Sequence, residues 1–281
     1  MYRGIAKDRR VRILSTTVYM YIYARTTISC MEMAASKMLF VFDFDQTIID
    51  DNIDVWVRKL LPDGKVPKDI KDRYKEHDSW TAYMADIFSC LHNLGTQKSE
   101  MLESIRGVPF TAGMKELLKY QQTAPSIDTI IASDANSLFI SHILEGAGLQ
   151  GVYQEIFSNP AEFDSNGCLG IKHHHTHDCQ RCPANLCKGT VLKDYLQKKA
   201  SVDGIVYERV AVVGDGSNDF CPCLCLGEND LIFPRKGYRL MKKIEQYAGN
   251  KSDADGNKLK ATVIPWSNAQ EILQYLHGMV N

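Results

Sequence analysis

The chain has 281 residues, of which 44% are apolar and 24% charged. That balance belongs to a folded globular protein and excludes a disordered tail or a fibrous repeat. Thirty-three basic residues against 34 acidic ones leave a net charge of −1, so the chain carries no broad basic footprint for nucleic acid. Apolar runs also fall short of the roughly 20 residues that a membrane helix needs. Nine cysteines, an odd number, fit reduced thiols or a metal clip better than a complete disulfide framework.

Residues 1–37 differ in character from the rest. Arg3, Lys7, Arg9, Arg10, Arg12, Arg25 and Lys37 face only Asp8 and Glu32, and Ile13–Ala24 is tyrosine-rich and only partly apolar. The segment reads either as an import signal or weak secretory core, or as a poorly ordered, dispensable extension ahead of Met31, Met33 or Met38. The plainer reading places the protein in the cytoplasm.

From Met38 onward strands and helices alternate. Met38–Phe42 (MLFVF), Ile127–Ala132 (IDTIIA) and Arg209–Val213 (RVAVV) are short apolar runs of the kind covered on both faces. Helical spacing marks Gly113–Gln121, with Met114, Leu117 and Leu118, and Lys188–Ala200, with Val191, Leu192, Tyr195 and Leu196. The alternation predicts an α/β fold, a Rossmann-like parallel sheet with helices on both faces, whose ligands lie beyond the carboxyl ends of the strands.

Each strand ends in acids or hydroxyls at that edge. The first runs into Asp43-Phe44-Asp45-Gln46-Thr47, the second into Ser133-Asp134-Ala135-Asn136, the third into Gly214-Asp215-Gly216-Ser217-Asn218-Asp219. Residues two apart on extended chain point to one side, so Asp43 and Asp45 converge. Close carboxylates repel unless a cation lies between them, and with Asp215 they make an all-oxygen pocket suited to Mg²⁺. Ser133 and Asp219 also suit helix caps, and Lys188 alone would be an ordinary solvated helix residue.

Taken in order, Asp43-Phe-Asp45-Gln-Thr47, Ser133, Lys188 and Gly214-Asp215-Gly216-Ser217-Asn218-Asp219 resemble the signature of the haloacid-dehalogenase superfamily of phosphatases. The runs His175–Lys188, Phe220-Cys221-Pro222 and Phe233–Tyr238 resemble its phosphoethanolamine/phosphocholine phosphatase family. Asp45–Trp56 and Pro160–Leu169 look most like the pyridoxal-phosphate phosphatase branch. The resemblance implies a Mg²⁺-dependent phosphatase for a small phosphorylated metabolite. Asp43 would be the nucleophile, forming an aspartyl-phosphate, and Asp45 the general acid and base. Asp43, Asp215 and the carbonyl of Asp45 would hold the metal, with Asp219 orienting the metal shell. Ser133 and Lys188 would hold the phosphoryl group. It further implies a core of residues 38–51 and 112–281, with a helical cap at 52–111 inserted after the first strand. In that interval Trp80, Tyr83, Met84, Ile87, Phe88 and Leu91 form a stripe expected to be cap core.

Asp54 and Asp134 match positions that the family uses for substrate contact. Acids beside a phosphate site suit a substrate that also bears a cation; the alternative for Asp54 is a helix cap. Trp56 offers a cation–π face. Pyridoxal 5′-phosphate is the favoured substrate, with phosphoethanolamine or phosphocholine the alternative. Cys179, Cys182 and Cys187, with His173, His174, His175 and His177 just upstream, either hold a structural zinc or form a reduced, proline-bent loop that positions Lys188. Cys221, Cys223 and Cys225 are expected to be buried small residues. A reading from another class is a non-catalytic metal-binding interaction module built on that loop, against which the joint presence of Asp43, Asp45, Ser133, Lys188 and Asp215 speaks.

Overall fold

A computed structural model describes residues 37–77, 79–247, 256 and 258–280; the extension read at residues 1–37 lies, apart from Lys37, outside the described residues. The wholly apolar run Met38–Phe42 is strand β1, followed by helices α1 (Ile53–Val57), α2 (Lys68–His77), α3 (Trp80–Asn93), α4 (Lys98–Arg106) and α5 (Met114–Thr123). Next come β2 (Ile127–Asn136), α6 (Ser137–Gly146), β3 (Glu155–Asn159) and a small hairpin, β4 (Ala161–Phe163) with β5 (Leu169–Ile171). The remainder is α7 (Lys188–Val202), β6 (Arg209–Gly214), α8 (Phe220–Cys223), β7 (Leu231–Pro234), α9 (Arg239–Gln246), β8 (Thr262–Val263) and α10 (Ala269–Val280).

The main sheet is parallel and ordered β3-β2-β1-β6-β7-β8, an α/β fold with β1 in the middle. Alternation along β1 divides its side chains between two apolar clusters, one on each face. Met38, Phe40 and Phe42 join the first; Leu39 and Val41 join the second with Val210, Val212, Leu192 and Tyr195. Burying each such side chain contributes roughly 1.5–3 kcal/mol. The central position of β1 therefore follows from its lack of any polar face.

Register sets the site. Phe42 lies opposite Ile131 on β2 and Val213 on β6, so the three polar strand ends emerge side by side. Strand β2 runs past its expected end at Ala132 to Asn136, and its pairing with β3 shifts between Ala132 and Asn136. That bulge turns Ser133 and Asp134 out of the regular ladder.

Between β1 and α5 the chain holds helices α1 to α4. Tyr83, Met84, Ile87, Phe88 and Leu91 of α3 are buried in the same cluster as Phe40 and Phe42. Phe88 meets Phe139 of α6 edge-on, ring centroids 5.8 Å apart. Among the described residues no helix is long and apolar enough to cross a membrane. Phe88→Ala should cost about 3–5 kcal/mol in urea unfolding, the range for truncating a buried aromatic. One cooperative transition is expected, because insert and sheet share this cluster.

Candidate active site

Asp43 follows β1 directly and stays tied to the sheet, its backbone N–H donating to the Val213 carbonyl at 2.9 Å. Across from it, Lys188 is the first residue of α7, where Cys187 takes the N-cap. Its side chain points inward and is fully buried, not solvated. The Nζ donates to Asp43 Oδ1 at 2.6 Å and to Asp219 Oδ1 at 2.7 Å. Burial alone would lower the pKa of this ammonium, but Asp219, Asp43 and Asp134 outweigh it and hold the pKa up. One cation thus joins the chain after β1 to the turn after β6.

The second oxygen of Asp219 accepts from the N–H groups of Asp215 and Gly216, at 3.1 and 2.8 Å. This folds the Gly-Asp-Gly-Ser-Asn-Asp turn around one carboxylate. A Cβ at Gly214 would lie 2.4 Å from that carboxylate, which is why the position takes no side chain. Asp43, Asp215 and Asp219 bring carboxylate oxygens within 4.8 Å of one another. Burial, then the charges of Asp43 and Asp219, push Asp215 up to about 8; burial and Asp43 push Asp219 up to about 7. Such an all-oxygen, over-acidic set fits a hard divalent cation.

Asp45 lines the same open cleft as Asp43, about 530 Å³ in volume, together with Asp134, Asp215 and Asn218. Its Oδ1 accepts from the N–H of Ile53 at 3.0 Å, which turns its carboxylate toward the insert. Burial, then the charge of Asp54, raises its pKa well above the ordinary range. Asp134 accepts from Asn218 Nδ2 at 3.1 Å. Ser133 is buried, its hydroxyl accepting from the N–H of Ala135 at 3.2 Å, and the helix cap beside it is Asn136.

Asp54 is likewise no cap. Asn52 caps α1, while Asp54 is buried in its first turn and accepts from Trp80 Nε1 at 2.7 Å. Burial pushes it up to about 7 against the pull of that hydrogen bond, and Asp134 adds to the rise. Trp80, assigned to the stripe, is thus a partner of Asp54, a contact invisible to spacing. One face of Trp56 is already taken by a cation of the chain itself: Lys59 Nζ sits 3.1 Å from its ring centroid, and its Nε1 donates to the Ser104 carbonyl. The cleft also has a basic wall of Arg181, Arg239 and Lys242, to which the sequence reading gave no role. The cysteines differ in one respect from expectation. Cys221 is buried, yet its sulfur joins those of Cys179, Cys182 and Cys187 within 4.8 Å.

Residues 38–280 match the family model described as Putative Phosphatase. The chain belongs to this phosphatase family. Pyridoxal phosphate phosphatase PHOSPHO2 of Bos taurus is 42% identical over 245 residues, covering 87% of the chain and 99% of the relative. Human phosphoethanolamine/phosphocholine phosphatase is 35% identical over 247 residues, covering 88% and 90%. Among solved structures, apo phosphoserine phosphatase superposes with a TM-score of 0.52 at 17% identity, covering 85% of the chain and 98% of that structure. That likeness is one of fold, the haloacid-dehalogenase fold. Together with the named phosphatases it makes the chain a phosphoric monoester hydrolase of this superfamily. In the phosphatase, Lys188→Met should cost about 3–5 kcal/mol in urea unfolding at neutral pH, since it strands two buried carboxylates. The same change in an Asp219→Asn background should cost clearly less; equal losses would show that the two side chains are not coupled.

Proposed function

We propose that the phosphatase hydrolyses a small phosphomonoester with a cationic part, pyridoxal 5′-phosphate foremost, through an aspartyl-phosphate on Asp43. The observation that carries the chemistry is the buried Lys188, bonded at once to Asp43 and Asp219 beside Asp215. A carboxylate approaches a phosphate dianion only when charge between them is neutralised. Asp43, Asp215 and the Asp45 carbonyl would hold Mg²⁺, which when bound supplies part of that neutralisation. Asp219, with both oxygens already engaged by N–H donors, orients the shell. Lys188 neutralises more, at the positive end of α7, and the Ser133 hydroxyl turns to a phosphoryl oxygen.

Asp43 attacks phosphorus and the ester P–O bond breaks. Asp45, whose pKa burial and then the charge of Asp54 push up from the ordinary carboxylate range, gives a proton to the leaving oxygen. It then takes one from water, whose oxygen attacks the phosphorus of the aspartyl-phosphate and frees phosphate and the Asp43 carboxylate. The helical insert closes over this cleft as a cap.

The acids that the phosphate cannot use favour a substrate that carries a positive charge. Asp54 Oδ1 is buried without a hydrogen-bond partner in the structure; beyond burial, Asp54 and Asp134 push the pKa of Asp45 up, and Asp134 pushes up that of Asp54. A pyridinium, ammonium or choline group answers that imbalance. Pyridoxal phosphate is favoured over phosphoethanolamine and phosphocholine because the relatives of that name are the more similar, at 42% against 35% identity.

A panel of pyridoxal 5′-phosphate, phosphoethanolamine, phosphocholine and a neutral aryl phosphate, with Mg²⁺ and with chelator, tests the reading. Turnover should require the metal and favour pyridoxal 5′-phosphate. Asp43→Asn should lower kcat by on the order of 10³-fold or more with unfolding unchanged in cooperativity. Asp54→Asn should raise KM for the cationic esters more than for the aryl phosphate; equal changes would remove the substrate-contact role. With Asp54 at about 7, the carboxylate that attracts a cation forms as pH rises through neutrality. The ratio of KM for phosphocholine to KM for the aryl phosphate should therefore fall from pH 6 to 8, and Asp54→Asn should flatten it.

A further inference from the structure

Between β5 and α7 the chain runs from Lys172 to Cys187 with no helix or strand. Irregular runs of this length inside a compact domain ordinarily serve a function. This one is held by its histidines through the backbone. His175 Nε2 accepts from the N–H of Cys187 at 2.9 Å. His177 Nδ1 accepts from the N–H of Cys179 at 3.2 Å, so its Nε2 carries the proton and donates to the Pro183 carbonyl at 2.9 Å. These ring nitrogens fix the loop and are not aimed at a metal.

What the loop fixes is a set of sulfurs. Cys179, Cys182 and Cys187 meet Cys221, which arrives from α8, with all four Sγ atoms within 4.8 Å of one another. Cys221 Sγ is 3.8 Å from both Cys179 Sγ and Cys187 Sγ. A disulfide requires about 2.05 Å, and all four are free thiols. In a tetrahedron with Zn–S bonds of about 2.3 Å, neighbouring sulfurs lie about 3.8 Å apart. The neighbouring thiols behave differently: Cys223 donates to the Asp219 carbonyl at 3.1 Å and Cys225 to the Cys221 carbonyl at 3.6 Å.

Two more features hold these sulfurs in place. Cys187 is the N-cap of α7, where the helix end is positive, and its sulfur accepts from the N–H of Thr190 at 3.4 Å. Gly189 lets that helix begin against Cys221, since a Cβ there would lie 2.7 Å from Cys221 Sγ.

We infer that Cys179, Cys182, Cys187 and Cys221 form a structural zinc site, separate from the oxygen-lined cleft, that ties the loop ahead of Lys188 to the helix behind Asp219. Four soft thiolates select zinc over magnesium and close its tetrahedral shell, which leaves no open position for chemistry. Binding releases the thiol protons to solvent. The site stands whatever the substrate of the phosphatase.

The test is metal analysis of the full chain, purified without chelator under reducing conditions, beside Asp215→Asn, Cys168→Ser and Cys221→Ser. One zinc per chain is expected in the first three and none in Cys221→Ser. Loading the unmodified chain with Co²⁺ should give sulfur-to-cobalt charge transfer and the visible bands of a tetrahedral tetrathiolate, a readout that stands even where Cys221→Ser does not fold. No zinc in the unmodified chain, zinc lost with Asp215→Asn but kept with Cys221→Ser, or a cobalt spectrum without thiolate character would each overturn the site.

Discussion

The interaction on which the rest depends is the pair of short hydrogen bonds from the Lys188 ammonium to Asp43 and Asp219. It joins residues 145 and 31 positions apart in the sequence, all three of them buried. Charges taken out of water are costly unless paired and fully hydrogen-bonded. Here each partner is over-determined: Asp43 by the sheet through Val213, Asp219 by two backbone amides, Lys188 by the start of a helix. The arrangement is therefore better understood as a constraint on geometry than as a source of stability. It compels the turn after β6, the start of α7 and the end of β1 to share one small volume, and it leaves Asp215 at its edge with a strained charge.

That volume exists because of strand order. With β1 between β2 and β6, and Phe42 in register with Ile131 and Val213, polar residues from three distant segments emerge at adjacent points. The bulge after Ala132 then takes Ser133 and Asp134 out of the backbone ladder with β3, where the Asp134 carbonyl accepts from Asn159 Nδ2 instead, and the Asp134 carboxylate meets Asn218 across the cleft. The insert contributes from above. Its first helix supplies Asp54 and the N–H that turns Asp45, and α3 supplies the Trp80 donor to Asp54. Because α3 is buried in the same apolar cluster as β1, the position of that donor is fixed by the core.

Residues on this edge were legible in sequence wherever local chemistry fixes position. The wholly apolar run Met38–Phe42 reads as a doubly covered strand and places Asp43 at the ligand-binding edge; the same reading of Ile127–Ala132 and Arg209–Val213 brings Ser133 and Asp215 to that edge, although β2 itself continues to Asn136. The start of α7 at Lys188 was readable from helical spacing. Its inward course was implied by resemblance, since nothing local distinguishes a buried lysine from a solvated one. The partners across elements were not legible. Trp80 reaches Asp54 over 26 residues, Lys59 covers the ring of Trp56, and Asn52, not Asp54, caps α1. Each depends on how helices of the insert are turned against one another, which periodicity leaves free. Arg181, Arg239 and Lys242 come together only because the cysteine loop and the start of α9 both border the cleft.

Cys221 makes the same point with chemical consequence. By spacing it belongs with Cys223 and Cys225, yet α8 is too short to keep the three alike: one sulfur turns to the loop and the other two to carbonyls. The segment Asp215–Cys221 thereby has two ends of opposite character. Its acids, Asp215 and Asp219, gather carboxylate oxygens, hard ligands that suit magnesium; its last residue joins thiols, soft ligands that suit zinc. Lys188 and Cys187 are divided in the same way, ammonium toward the oxygens and sulfur toward the sulfurs. Cys187 and Lys188 are adjacent, and Asp219 and Cys221 are separated by Phe220 alone, so within two short stretches the chain passes from the carboxylate cluster to the sulfurs. That separation sets an all-oxygen cluster against a thiol cluster while each keeps donors of one chemical kind.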